Sequence, residues 1–125
     1  MTKSIELTTE QYAAQCVDDI EDIIILHALS PTELLALDSD LFPINFEVWD
    51  ETNRVLGLID SQNYKPLMPD DLAQRIGLFL RSLLQIPAEQ WCYEQFSQHP
   101  QWQASRTTAR QFINELGLQG RRYGQ

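Results

Sequence analysis

The sequence contains little of what builds common cofactor and metal sites. Its 125 residues include five glycines, two cysteines and two histidines. The glycines are scattered, so no glycine-rich loop is present to hold a phosphate group. A structural zinc site needs four ligands, usually in closely spaced Cys or His pairs, and no such pair occurs. We therefore expect neither a phosphate-binding loop nor zinc, and we predict no cofactor.

Long apolar segments are also missing. Uninterrupted apolar runs reach only four residues, as at 23–26, whereas a membrane-spanning helix needs about 20. Residues 1–6, MTKSIE, lack the apolar centre of a signal peptide. Without an export signal, Cys16 and Cys92 are better interpreted as small buried apolar residues than as a disulfide bridge. We expect a cytoplasmic protein that binds no membrane.

Basic residues are scarce and unevenly placed. The chain has 9 Lys and Arg against 18 Asp and Glu, for a net charge of −9. Residues 1–71 carry −12 and residues 72–125 carry +3. Binding to phosphate backbones or anionic lipid depends on Lys and Arg, so this charge opposes nucleic acid as a ligand. It favours a basic partner.

The remaining composition is that of an ordinary globular protein. The hydrophobic fraction is 43% and the charged fraction 22%. A chain of this length buries about two-thirds of its unfolded surface, which is enough for one core without metals or disulfides. We predict a single domain over residues 1–125.

Helical periodicity is strongest over residues 68–86. Pro69 suits a first helical turn, Asp70 and Asp71 place negative charge at the positive end of the helix dipole, and Pro87 ends the helix. The apolar residues share one face and predict that this helix is central to the core: Leu72, Ala73, Ile76, Phe79, Leu80, Leu83 and Leu84.

An earlier helix begins with a capping box, in which Thr8 is the N-cap and Gln11 reaches back. Its regular apolar stripe fails at 25–29, where apolar residues fall on the face that the acids hold one turn before. Either residues 23–29 form a buried strand, or the helix continues with apolar residues on two sides and a second surface covers it. We favour the continued helix, because Ser30 and Pro31 begin another helix that runs over 31–37.

The next segment alternates with a period of two. Ile44, Phe46 and Val48 alternate with polar or outward residues, residues 50–53 have turn chemistry, and residues 54–59 favour a strand. This pattern predicts an antiparallel hairpin, with residues 3–7 or 23–29 as a possible third strand. Two further helices are predicted, from residue 87 to about 98 and from 105 to 116, with Gly117 just after the last. The tail, 119–125, is expected to fray without a partner. The predicted fold is therefore α+β, with about five helices and one small hairpin.

The acids at Asp18, Asp19, Glu21 and Asp22 form the most concentrated charge. They could hold Mg²⁺ if a second group of carboxylates, such as Asp38, Asp40, Asp70 or Asp71, faced them. All-α nucleotide pyrophosphohydrolases use two Glu-x-x-Glu or Glu-x-x-Asp pairs in this way, but the cluster at residues 18–22 contains neither pair. A solvated acidic helix face explains these residues better.

Other catalytic and binding chemistries have weak signals. A Cys with a His could form a nucleophile and base, but no local signature supports the pair. The aromatic residues at 91–102 could stack on bases, yet no Lys or Arg lies between Arg81 and Arg106 to form the basic groove that stacking on nucleic acid requires. We predict that the protein is not an enzyme.

Large apolar residues outnumber the positions that one small core needs. Such a surplus is typical of a partner surface, and the alternative is a tighter packing of the chain that buries all of these residues. We predict a non-catalytic interaction protein, an acidic adaptor, assembly factor or dedicated chaperone that buries an apolar segment of its partner, and we allow a homodimer. The predicted partner-binding residues are Ile25, Leu26, Leu29, Trp49, Leu78, Trp91, Asp18, Asp19 and Asp22. The alternatives are an inhibitor or immunity protein whose acids mimic a nucleic-acid backbone, and a Mg²⁺-dependent nucleotide hydrolase.

Overall fold

The chain folds as an all-α protein. The computed structural model describes residues 8–124, and this part contains the six α-helices α1 (Thr9–Ala28), α2 (Pro31–Ala36), α3 (Ile44–Asp60), α4 (Asp70–Leu83), α5 (Tyr93–Gln98) and α6 (Pro100–Leu116). A 3₁₀ turn, Ala88–Gln90, precedes α5. No strand occurs within residues 8–124, so the α+β prediction is wrong. The possible strand at 3–7 lies outside the described residues.

Helix α1 lies at the centre of the fold. The predicted capping box is present: Thr8 Oγ1 accepts from the Gln11 N–H at 3.1 Å, and Gln11 Oε1 accepts from the Thr8 N–H at 2.8 Å. The helix continues to Ala28, which confirms the favoured reading of residues 23–29. It packs against both α3 and α6. The two-sided apolar pattern is therefore the pattern of a central helix, and α1 takes the position expected for residues 68–86.

The predicted hairpin is helix α3. Its buried residues are Ile44, Val48, Thr52, Val55, Leu56 and Ile59. Their spacing of three and four residues is helical, whereas the alternation at 44–48 extends over only five residues. The turn-forming residues 50–53 lie within the helix, where Arg54 bonds to Glu51 one turn before it. Burial of one helical face against α1 and α4 outweighed the strand preference of the β-branched residues.

Helix α6 begins earlier than predicted. His99 is its N-cap, with Nδ1 accepting from the Gln101 N–H at 3.1 Å, and Pro100 occupies the first turn. This cap starts the helix five residues before the predicted start at Ser105. The helix ends at Gly117, whose φ of +69° is the left-handed conformation expected of a glycine at a helix end.

The predicted helix from residue 87 to 98 is broken at Trp91. Trp91 has φ −91° and ψ +61° and follows the 3₁₀ turn, so the chain changes direction before α5 begins. This bend places the Trp91 indole against Phe96 and Trp102, with ring centroids 6.4 and 4.7 Å away. The indole N–H of Trp91 donates to the Ile86 carbonyl at 3.0 Å. On one continuous helix over residues 87–98, Trp91 would project away from the face that Cys92 and Phe96 share, and the bend brings it into the core instead.

Candidate functional site

The structure divides the nine predicted partner-binding residues into three groups. Ile25 and Leu26 on α1 and Trp91 are buried, at 3%, 2% and 2% exposure, and Leu29 is partly buried. Trp49 and Leu78 are exposed. The three acids Asp18, Asp19 and Asp22 lie at the surface of α1, with Asp18 the most exposed. Ile25 and Leu26 are covered because α1 packs against both α3 and α6. Trp91 is covered because it packs against Phe96 and Trp102. These three side chains are therefore not open to a partner in this structure.

An aromatic groove lies between α3 and the 3₁₀ turn. Its lining residues are Asn45, Phe46, Trp49, Ala88 and Trp91. Phe46 and Trp49 are neighbours one helical turn apart, and they leave 54% and 38% of their surfaces exposed. Asn45 fixes the groove's geometry, because its Oδ1 accepts from the Tyr93 N–H at 2.9 Å and ties α3 to the start of α5. The groove holds about 200 Å³, less than the roughly 300 to 1,000 Å³ typical of small-molecule sites.

The charge around the aromatic groove has one sign. The two lining segments, residues 44–53 and 87–96, contain five acids and no Lys or Arg. Asp50 lies one turn after Phe46 on α3, and Glu89 follows Ala88 in the 3₁₀ turn. An apolar side chain with basic neighbours would meet complementary chemistry here.

Leu78 is a separate exposed residue. It is 67% exposed on α4 and lines none of the grooves described here. Its neighbours one turn away on the helix are Gln74, Arg75, Arg81 and Ser82. A single exposed leucine among polar residues is ordinary for a protein surface and does not form a patch.

The α1 acids are engaged by arginines of the same chain. Arg121 pairs with Glu21 at 2.6 Å and with Asp22 at 3.0 Å, and both partners are mostly shielded from solvent. Asp19 pairs with Arg54 of α3 at 3.1 Å. Three of the four clustered acids thus have a cation in place, which reduces the free charge available to mimic a nucleic-acid backbone.

The segment that carries Arg121 lies across α1. We call residues 118–124 the strap. On one side of Arg121 is an acidic groove, formed with Gln15, Asp18, Asp19, Asp22 and Gly124. On the other side is a mainly apolar groove, formed with Ile25, Leu29, Glu33, Leu37, Arg122 and Tyr123. Five predicted partner-binding residues therefore lie on one face of α1, divided by the strap. The tail was expected to fray, and through residue 124 it is instead held in place.

Carboxylates that could hold a cation meet elsewhere. Within residues 8–124, one group of three has ligand atoms mutually within 4.8 Å, namely Glu47, Asp50 and Glu51 on α3. Both oxygens of Glu51 already accept from Arg54, at 3.2 and 2.7 Å. Asp38 accepts from the Ile44 N–H and Asp70 from the Tyr64 hydroxyl, so these acids serve helix starts and loops. The condition for a Mg²⁺ site at Asp18, Asp19, Glu21 and Asp22, a second acidic set facing them, is not met among the described residues.

The cysteine and histidine of α1 have the chemistry of core residues. Burial, with a smaller contribution from Asp19, raises the pKa of the Cys16 thiol, which keeps it protonated and weakly nucleophilic. Burial lowers the pKa of His27 to about 4, so its imidazole is neutral at pH 7. His27 lies between the Trp102, Phe79 and Trp91 rings. Both groups contribute to packing in this arrangement.

Sequence reasoning missed Phe46 and the strap. Phe46 was placed on the inner face of a hairpin, although the helical alternative would have put it one turn from Trp49. Arg121 and Tyr123 gave no local signal, because Arg121 meets Glu21 across 100 residues of sequence.

Comparison of the chain with protein-family models, curated proteins and solved structures found no match. Within residues 8–124, none of the helices has the combined length and apolarity needed to cross a bilayer.

Proposed function

We propose that this protein is a non-catalytic interaction module, an acidic adaptor, assembly factor or chaperone. It binds an apolar side chain of a partner protein in the aromatic groove, with Lys or Arg flanking that side chain. The observation that carries the proposal is the pairing of two exposed aromatic residues, Phe46 and Trp49, beside a groove whose lining segments contain no base. Large aromatic residues at the centre of a contact supply a disproportionate share of binding energy.

The partner's chemistry follows from the groove's size and charge. A volume of about 200 Å³ accommodates a side chain or two rather than a cofactor. Asp50 and Glu89, which lie next to the lining residues in the sequence, favour a basic amphipathic segment, such as a helix with leucines on one face and lysines on the other. Apolar burial supplies affinity, and the acids supply orientation and association rate.

A synthetic 14-residue amphipathic peptide of Leu and Lys tests the proposal. Titration into ¹⁵N-labelled protein should shift the Trp49 indole resonance. Trp49→Ala or Phe46→Ala should weaken binding about ten-fold or more, as expected for a central aromatic contact. Leu78→Ala is the matched control, since Leu78 is equally apolar and more exposed but lies outside the groove. A peptide of Leu and Glu should not bind.

Two results would contradict this function. Equal binding to the wild type, Trp49→Ala and Phe46→Ala would remove the groove as the site. A steep salt dependence that persists in Trp49→Ala would instead favour the inhibitor or immunity class, in which the acids alone bind the partner.

A further inference from the structure

The strap is held to α1 by contacts that converge on a few atoms. Arg121 makes the two ion pairs with Glu21 and Asp22. Three residues later, the Gly124 N–H donates to Asp22 Oδ1 at 3.3 Å. Tyr123 packs against Phe42, with ring centroids 5.8 Å apart. Arg122 and Gly124 are exposed. Leu118 at the start of the strap is buried, whereas none of residues 119–124 is. Residues 119–124 therefore open at a low free energy compared with the core.

The surface beneath the strap has the composition of a peptide-binding surface. Acids lie on one side of Arg121, and the apolar residues Ile25, Leu29 and Leu37 lie on the other. Tyr123 adds an aromatic contact two residues after the arginine. Burial, followed by the charges of Glu51 on α3 and Asp22 on α1, raises the pKa of Tyr123 to about 12.

We propose that the strap is an internal occupant of a second binding surface on α1, and that a partner segment of the same chemistry displaces it. That segment carries an arginine for Glu21 and Asp22 and an aromatic side chain two residues later for Phe42. The contacts of the strap identify the chemistry of the displacing segment, because they show that this surface accepts an arginine and an aromatic ring. This inference concerns α1 and stands independently of the function proposed for the aromatic groove.

Competition within the chain sets the expected affinities. An attached strap has an effective concentration in the millimolar range, so it reduces the apparent affinity of any segment added in solution. Removing the Arg121 side chain releases the two charged hydrogen-bonded contacts on which the strap depends. The added segment should then bind about ten-fold or more tightly.

The test uses a fluorescein-labelled peptide with the sequence of residues 118–125, LQGRRYGQ, and the full chain. The peptide should bind the Arg121→Ala variant at least ten-fold more tightly than it binds the wild type. Adding Glu21→Gln and Asp22→Asn to that variant should abolish binding, and a peptide with glutamate in place of the first arginine should not bind. Adding Trp49→Ala should change nothing, which separates this surface from the aromatic groove.

A second variant keeps the test decisive if Arg121→Ala does not fold. Tyr123→Ala removes the ring contact but keeps the ion pairs, and it should also tighten peptide binding while the circular dichroism spectrum stays helical. Equal peptide affinity for the wild type and both variants, or no binding to either folded variant, would overturn the proposal. If both variants unfold, the strap is part of the core and the proposal fails. A wild-type dimer in which each chain binds the other chain's strap would show that the displacing segment belongs to a second copy of this chain. That result would overturn the proposal of a different partner protein.

Discussion

His27 on α1 donates its Nε2–H to Oγ1 of Thr52 on α3 at 2.8 Å, inside the core. The Thr52 hydroxyl proton goes to the Val48 carbonyl at 2.6 Å, so Oγ1 is the acceptor for the imidazole and the neutral ring carries its proton on Nε2. One short, buried polar chain thus joins α1 to α3 inside the core, whereas the Asp19–Arg54 ion pair joins the same helices at the surface. Two predictions depend on it.

Stability should fall as the pH drops below neutrality. Burial lowers the pKa of His27 from 6.5 to about 4, so the unfolded chain takes up a proton in this range before the folded chain does. The contribution is fully present above about pH 6.5 and is lost progressively down to about pH 4. Between pH 7 and 5.5, where few carboxylates titrate, the free energy of unfolding should fall by about 1 kcal/mol. Urea unfolding at these two pH values measures it.

His27→Gln should remove this part of the pH dependence. His99→Asn is the control, because asparagine retains the cap of α6 and leaves His27 untouched. An unchanged pH dependence in His27→Gln would assign the effect to other groups.

Thr52→Val should destabilise the fold although it preserves shape. Thr52 is fully buried, and the substitution leaves the Nε2–H of His27 without its acceptor. An unsatisfied buried donor costs about 1 to 3 kcal/mol. The double variant with His27→Phe should lose less than the sum of the two single losses, because no donor then remains. Additive losses in denaturant unfolding would show that the two side chains are not coupled.

Two glycines should respond to alanine in opposite directions. Gly57 is exposed within α3, and a Cβ there meets nothing within 4 Å, so Gly57→Ala should raise the free energy of unfolding by about 0.5 to 1 kcal/mol. Gly117 has φ +69°, so Gly117→Ala should lower it by about 1 kcal/mol. Thermal unfolding of the pair provides the comparison. Stabilisation by both variants would show that α6 does not need a left-handed residue at its end.

The Arg121 ion pairs should matter more than a fully exposed pair of similar geometry. Arg121 and its partners Glu21 and Asp22 are mostly shielded, so Arg121→Ala should lower the free energy of unfolding by about 1 to 3 kcal/mol. Arg75 and Glu115 meet at 2.6 Å between α4 and α6 but are both about half exposed. Glu115→Gln should therefore have a small effect that disappears at high salt. If Arg121→Ala and Glu115→Gln lowered the free energy of unfolding equally at 0.5 M NaCl, this ranking would be contradicted.

Local sequence patterns predicted the helix ends better than the fold class. The capping box at Thr8, the helix start at Ser30 and Pro31, and the glycine at 117 each involve residues within four positions, and all three are present as expected. The hairpin at 44–59 failed because a short alternation in β-branched residues was given more weight than a helical spacing that extends over four turns. Which pattern prevails depends on the face that neighbouring helices cover, and one segment alone does not contain that information.

The candidate surfaces were predictable only in part. Trp49 was expected to be exposed and is exposed. Ile25 and Leu26 were correctly identified as a second apolar face of α1, but what covers that face comes from distant parts of the chain. The bend at Trp91 and the ion pairs of Arg121 likewise depend on contacts across the fold, which the periodicity of a single helix cannot encode.

The packing of α1 against α6 also has a consequence for synthesis. On a ribosome, α1 would emerge 72 residues before the start of α6, which at about 5 to 20 residues per second corresponds to roughly 4 to 15 s. During that interval the isoleucines of the first helix lack one of their two neighbours. A nascent chain halted before residue 100 should therefore recruit cellular holdases, and release of the finished polypeptide should end that need.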